Sequence, residues 1–232
     1  MLGPEFDEIA AWIPNDDSQK ASAESMLSAR FAESPNDAVD LLDFGCGAGH
    51  GVDLVKSLSP LARYTGIDIA CSPEVASRRR QDAEFVTFNG VDLPFNDQSF
   101  DVVYSRQVFE HVRHPDAAVN EIFRVLRPGG AFIGSLSNLE PYHSYSIFNF
   151  TPYGVYRLLT DNGFHDGFMR PGAEGMNLII RQISARRIGW AELAYPMIDL
   201  LALVKRLDAK AKNYLKLRFS GHICFAATRP SA

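Results

Sequence analysis

Five short apolar runs, AVDLLDF, YTGIDI, FVTF, FDVVYS and AFIGSLS, follow one another between residues 38 and 137, each separated from the next by enough chain for a helix or a polar loop. Runs of this length read as strands covered on both faces, and strands alternating with helices assemble into a parallel sheet. PDAAVNEIFRVLRPGG is the clearest helix, with Val119, Ile122, Phe123 and Leu126 at helical spacing and Pro128 with Gly129 as its stop signal. TPYGVYRLLTDNGF reads as another, entered at Thr151 with Pro152 at its first position and ended by Asn162 and Gly163. GHICFAAT closes the pattern as a strand, and the stretch from about Asp7 to Phe31 reads as helical with a break at Pro14 and Asn15. With 232 residues, 46% of them hydrophobic, one domain with a substantial core is expected.

The first apolar run ends in LLDFGCGAGHG, residues 41–51, where four glycines follow an aspartate. A strand ending there and turning into the helix around VDLVKSL brings bare backbone to the carboxyl edge of the sheet, where open parallel sheets bind ligands. Glycine allows positive φ and close approach, and the amides at a helix N-terminus attract a negative group. No G-K-[ST] closes the turn, so it is not a P-loop. The second run ends in Asp68, about 20 residues on, where a carboxylate can accept hydrogen bonds from a ribose diol. Up to this point a nicotinamide enzyme would look the same.

Four blocks then decide between ligands. LLDFGCGAGH, YTGIDI, LPFNDQSFDVVYSRQVFEHV and EIFRVLRPGGAFIGSLSN lie in order over residues 41–138. In that order they resemble the motifs of class I S-adenosylmethionine-dependent methyltransferases, in particular the methyltransferase type 11-like subgroup. The resemblance implies an α/β, Rossmann-like, seven-stranded and mostly parallel sheet with helices on both faces, here with a helical insertion before the last strand. It also implies S-adenosyl-L-methionine as cofactor. By the same resemblance Asp43, Gly45, Gly47 and Gly49 wall the methionine part, Asp68 holds the ribose hydroxyls and Ile69 packs on the adenine. Asn89 stands where the family often has an aspartate facing the adenine amino group; its amide oxygen can accept that hydrogen bond, with Gly90 as the neighbouring backbone contact and Asp92 a poorer candidate. Ser105, Arg106 and Gln107 are expected beside the methionine moiety and the transferable methyl.

Methyl transfer from a sulfonium is an in-line displacement that needs alignment more than a protein nucleophile. A hydroxyl acceptor does need a base. His143, in the loop after the fifth run, is the preferred candidate and His111 the second; Tyr142 and Tyr145 offer rings to a planar acceptor. Glu110 reads as structural, Cys46 and His50 as small or incidental turn residues, and His114 as part of a turn before Pro115. Some quinone-pathway relatives have a metal-binding acid three residues before this glutamate; here that residue is Gln107, so no metal is expected.

Charge is unevenly spread. Residues 1–180 hold 13 Lys and Arg against 25 Asp and Glu, whereas residues 181–218 hold 9 against 3, within a chain of formal net charge -5. The acidic whole gives no general pull toward DNA. The basic, apolar 181–218 segment reads either as a helical lid or dimer face, or as a patch in which Arg186, Arg187, Lys205, Arg206, Lys210, Lys212 and Lys216 attract an anionic acceptor or make a weak peripheral membrane contact. The expected layout is one domain: an N-terminal helical region (1–36), a cofactor-binding core (37–138), substrate-side loops and insertion (139–220), and the last strand (221–229). No secretion signal and no long uncharged apolar run are visible, and three scattered cysteines point to a reducing cytosol. The opening MLGPEF matches a common cloning junction and is set aside. The expected activity is methyl transfer to a small-molecule, sugar or lipid-linked acceptor, at oxygen on family base rates. An RNA methyltransferase, a nicotinamide dehydrogenase and a non-catalytic cofactor-binding protein are the rivals.

Overall fold

The computed structural model describes residues 2–16, 20–33, 35–141, 144–185, 187 and 192–231. Seven strands, β1 (Asp40–Phe44), β2 (Arg63–Ile69), β3 (Glu84–Phe88), β4 (Phe100–Arg106), β5 (Leu126–Ser137), β6 (Asp166–Pro171) and β7 (His222–Thr228), form one sheet in the order β3-β2-β1-β4-β5-β7-β6. Strands β1 to β5 run parallel, and β7 lies antiparallel between β5 and β6. Around it stand α1 (Glu5–Ile9), α2 (Ala23–Glu33), α3 (Gly51–Leu58), α4 (Pro73–Ser77), α5 (Pro115–Val125) and α6 (Pro152–Thr160).

Successive side chains of a strand point to opposite faces, and here both faces are covered. On one face Leu42, Phe44, Val103, Phe132 and Phe225 join a core completed by Val119 and Ile122 of α5 and Leu159 of α6. On the other, Leu41, Val102, Tyr104 and Ile133 meet Leu27 and Phe31 of α2 and Val52 and Val55 of α3. Helices therefore lie on both sides, as the alternation of runs requires.

Several boundaries differ from the sequence reading. The fifth helix stops at Val125, before Pro128, because Leu126 already pairs with Phe100 of β4. The remaining strand of the seven that the resemblance implies is β6, which the apolar runs do not locate: DGFMRP is short, polar at its start and lies at the sheet edge. The opening residues belong to the fold, since the Phe6 ring lies 5.0 Å from that of Tyr214 and Tyr214 donates to Glu5 Oε1 at 2.6 Å. Among the described residues, helical structure before β1 is confined to α1, a 3-10 turn at Ala10–Trp12, and α2.

Between β6 and β7 the described residues form three helices, α7 (Gly175–Ile183), α8 (Ala194–Lys205) and α9 (Ala209–Arg218). Pro196 falls in the first turn of α8, where a missing N–H costs nothing. The insertion leaves the sheet at Pro171 and returns at His222, whose register partner is Ser137 at the end of β5. It thus sits at the carboxyl edge of the parallel strands.

Phe132 is buried with its ring 4.9 Å from Phe225, 5.8 Å from Phe109 and 5.9 Å from Phe164. Phe132→Ala is expected to lower stability by about 3–5 kcal/mol in urea unfolding. A loss below about 1 kcal/mol would mean that this aromatic layer does not hold the sheet to α5 and α6.

Candidate active site

The turn after β1 is fastened to β2 by backbone and side chain together. Gly45 and Cys46 donate to the Ile67 carbonyl at 2.8 and 3.1 Å, and Gly47 donates to Asp68 Oδ2 at 2.8 Å. The other Asp68 oxygen accepts the Ile69 N–H at 2.7 Å. Gly45 has φ +77°, and a Cβ there would overlap Val108; Gly49 has φ +84°, and a Cβ would lie 2.7 Å from the Phe85 ring. Both positions need glycine for conformation as well as for space. From the far side Arg78 donates to the Gly47 carbonyl at 2.8 Å.

Beside this turn lies a cavity of about 260 Å³ lined by Asp43, Gly45, Gly47, Tyr104, Arg106 and Glu24, among others. Asp43 is buried at the end of β1 and accepts a hydrogen bond from Tyr64 at 2.5 Å. Burial raises its carboxyl from the usual 3.8 to about 6, against the pull of Tyr64 and of Arg106. A Cβ on Gly51, the first residue of α3, would strike the Asp43 carboxylate, so that glycine makes room for the charge. Arg106, the last residue of β4, pairs with Glu24 of α2 at 2.5 Å. Burial alone would raise the Glu24 carboxyl; the Arg106 bond holds it below the ordinary range. Burial pushes the Cys46 thiol up to about 12, which leaves it protonated and a poor nucleophile.

A second polar group lies at the ends of β4, β5 and β7. Ser137 Oγ stands 3.0 Å from Glu110 Oε1 and 2.8 Å from Glu140 Oε2, and His222 Nε2 is 3.2 Å from the same Glu140 oxygen. The Gln107 amide, with its nitrogen toward the acceptors, donates to Glu110 Oε1 at 3.0 Å. The Glu110 carbonyl accepts from Ile147 and Phe148 at 2.6 and 3.2 Å, which ties the loop after β5 to this end of the sheet.

Of the residues expected from sequence, Asp43, Gly45, Gly47 and Arg106 share the cavity, and Asp68 and Gly49 brace its floor from outside the lining. Ile69 is exposed beyond them, with Gly90 next to its side chain. Asn89 is otherwise engaged: its Oδ1 accepts the Val91 and Asp92 N–H groups at 2.8 Å each, which uses both lone pairs within its own turn. Ser105 is buried and does not reach the cavity, and Gln107 is turned toward Glu110. His111 ends the 3-10 turn Phe109–His111. His143 and Tyr142 lie outside the described residues. Sequence reasoning missed Glu24, Ser137, Glu140 and His222. Nothing in the sequence links Glu24 to the end of β4, whereas His222 could have been placed once the last strand was known to run antiparallel to the fifth.

Residues 42–134 match the family model described as a methyltransferase domain. Over 117 residues, 45% of this chain, the sequence is 36% identical to a Mycolicibacterium smegmatis protein named as a probable S-adenosylmethionine-dependent methyltransferase, and the match covers 45% of that protein. Over 96 residues it is 36% identical to a fatty-acid O-methyltransferase of the same organism, covering 40% of this chain and 35% of that one. The matched stretch thus spans less than half the length of these curated relatives. Among solved structures, a chain of the complex between the Haloferax volcanii Trm112 methyltransferase activator and a methyltransferase superposes with a TM-score of 0.57 at 19% identity, covering 100% of this chain and 99% of that one. That likeness speaks for the fold, and the family match for the motifs within it. Residues 42–134 thus resemble a methyltransferase domain, and the chain as a whole shares the fold of a solved methyltransferase.

Proposed function

We propose that the protein transfers a methyl group from S-adenosylmethionine to an oxygen of a small-molecule, sugar or lipid-linked acceptor. The observation that carries the reading is the pairing of a buried carboxylate, Asp43, with a guanidinium, Arg106, in one cavity beside the glycine turn. An amino-acid zwitterion needs such a pair, an anion for its ammonium and a cation for its carboxylate. The residues present therefore fit the methionine end of the cofactor, with Asp68 and exposed Ile69 placed beyond the turn for ribose and adenine. Bound there, the cofactor supplies a methyl carbon activated by its sulfonium. Arg106 would exchange Glu24 for the cofactor carboxylate, and Asp43 would lose part of its desolvation cost to the incoming ammonium.

On the acceptor side the proton of a hydroxyl needs a base. With Nε2–H donating to Glu140, His222 keeps the Nδ1 lone pair for that proton, and the Glu140 carboxylate stabilises the imidazolium that results. His111 and His143 are the other candidates. Oxygen as acceptor atom and lipid as acceptor class draw support from the printed names of the relatives, a fatty-acid O-methyltransferase and a phthiotriol/phenolphthiotriol dimycocerosates methyltransferase.

Calorimetric titration with S-adenosylmethionine, S-adenosylhomocysteine and NAD in parallel is expected to give micromolar binding of both adenosyl ligands and none of NAD. Asp68→Ala should weaken that binding by at least about tenfold, through loss of charged hydrogen bonds of about 1.5–3 kcal/mol each; unchanged affinity would remove Asp68 from the ribose site. The pH dependence follows from Asp43. Its carboxyl sits at about 6 in the free protein, and the cofactor ammonium pairs with the ionised form, so binding below that pH must first expel a proton. Affinity should be flat between about pH 6 and about pH 8, where the cofactor ammonium itself deprotonates, and fall by about tenfold per pH unit below about 6, whereas Asp43→Asn should be weak and lack the lower inflection. With an accepted substrate in hand, His222→Asn should cut turnover by about 10²–10⁴-fold at unchanged cofactor affinity, measured as transfer of a labelled methyl group.

A further inference from the structure

Helix α8 is apolar on both sides and covered on one. Tyr195, Ile198 and Ala202 are buried, the first two against Leu215 of α9, and Lys216 Nζ holds the pair of helices together through Asp199 at 2.6 Å. On the opposite side Met197, Leu200, Leu203 and Val204 are between 63% and 76% exposed, and Leu193 at the helix entry is exposed as well. At 3.6 residues per turn, Met197, Leu200 and Val204 fall within about 60° of one another, across the helix axis from Ile198 and Ala202. A helix apolar all round belongs in a core or in lipid.

Charge says what covers the open side. Lys205 and Arg206 follow the stripe at the C-terminal end of α8, and Arg181 in the last turn of α7 and Arg187 after that helix are exposed. None of the four makes an ion pair among the described residues. Lys216, counted with them on sequence grounds, is buried and spent on Asp199. The apolar stripe is thus set in the basic pole of a chain whose net charge is -5. Two copies meeting face to face through this stripe would bring like charges together, whereas an anionic lipid surface answers both the charge and the apolar side chains. Twelve residues of helix span about 18 Å, short of the roughly 30 Å hydrocarbon core, and no helix among the described residues is long and apolar enough to cross a membrane.

We infer that α8 docks the protein on an anionic membrane surface, with Met197, Leu200, Leu203 and Val204 entering the boundary between headgroups and acyl chains and Lys205 and Arg206 meeting lipid phosphates. The insertion joins the sheet at Pro171 and His222, so docking brings the carboxyl edge, and with it Glu140 and His222, toward the lipid. The lipid-linked acceptor class rests on the proposed methyl transfer; the docking does not.

The test is co-sedimentation of the full chain with phosphatidylcholine vesicles, with and without phosphatidylglycerol, at low and high salt. Binding is expected only with the anionic lipid, weakened several-fold by salt. Leu200→Asp with Val204→Asp should reduce it by at least about tenfold, and Lys205→Glu with Arg206→Glu should reduce it similarly and remove its salt dependence. All four positions are exposed, so thermal melting and cofactor affinity should stay unchanged in both variants. Absence of binding to anionic vesicles at low salt, or binding undiminished in the aspartate variant, would overturn the inference. So would a dimer, seen by sedimentation equilibrium, that the aspartate variant dissociates, since a second copy would then own the stripe. No arm uses methyl transfer, so failure here leaves the proposed activity standing, and failure of cofactor binding leaves the docking standing.

Discussion

A carboxylate buried at the end of β1 constrains everything around it. An ionised group without full solvation is expensive to place in a protein interior, and the raised carboxyl of Asp43 records that cost. The neighbours are arranged accordingly. Tyr64 reaches across from β2 to donate to it, Gly51 leaves out the Cβ that would strike it, and the glycine turn passes around it without side chains. The nearest strong cation in the cavity, Arg106, is committed to Glu24. The site end of the sheet is therefore built about a charge whose compensation is incomplete within the chain, an arrangement that favours a cationic ligand group over a neutral one.

How much of this was legible depends on whether the signal is local. The strands β1, β2, β4, β5 and β7 announce themselves as apolar runs because burial on both faces demands it, and the edge strand β3 does so through half-buried Phe85, Val86 and Phe88, which pack against the two cores. Strand β6 does not, since an edge strand with one neighbour tolerates Asp166 and Gly167, and its identity comes from pairing with β7. The same division holds in the site. Gly45, Gly47 and Asp68 are close in sequence or fixed by a short crossover, so the glycine turn and the aspartate it rests on are visible locally, and Asp43 joins them through the resemblance of its motif. Glu24 reaches Arg106 only because α2 packs over β4, and Glu140 meets His222 only because β7 enters the sheet against β5. Contacts between residues 82 apart in sequence, as both pairs are, leave no mark in either local stretch. At Asn89 the local signal is a turn: its Oδ1 accepts the Val91 and Asp92 N–H groups in an Asx-type arrangement.

The segment that looked most dispensable, the start of the chain, explains why the insertion can present an uncovered apolar face at all. Glu5 and Phe6 engage Tyr214, and Asn213 donates to the Pro14 and Asp16 carbonyls at 2.7 Å each, so α9 is braced by residues almost 200 positions away. Helix α8 is in turn fixed to α9 through Tyr195, Ile198 and the Lys216–Asp199 pair, and its first amides, those of Leu193 and Ala194, donate to the buried Glu174 carboxylate at the start of α7. A helix held only by its own apolar face would gain stability by rolling that face inward and would leave no exposed stripe. Here polar ties at its start and its middle and a packed aromatic on the inner side determine its rotation. The exposed Met197, Leu200, Leu203 and Val204 are a consequence of that mounting, and the free energy forgone by leaving them in water is available to whatever surface they meet.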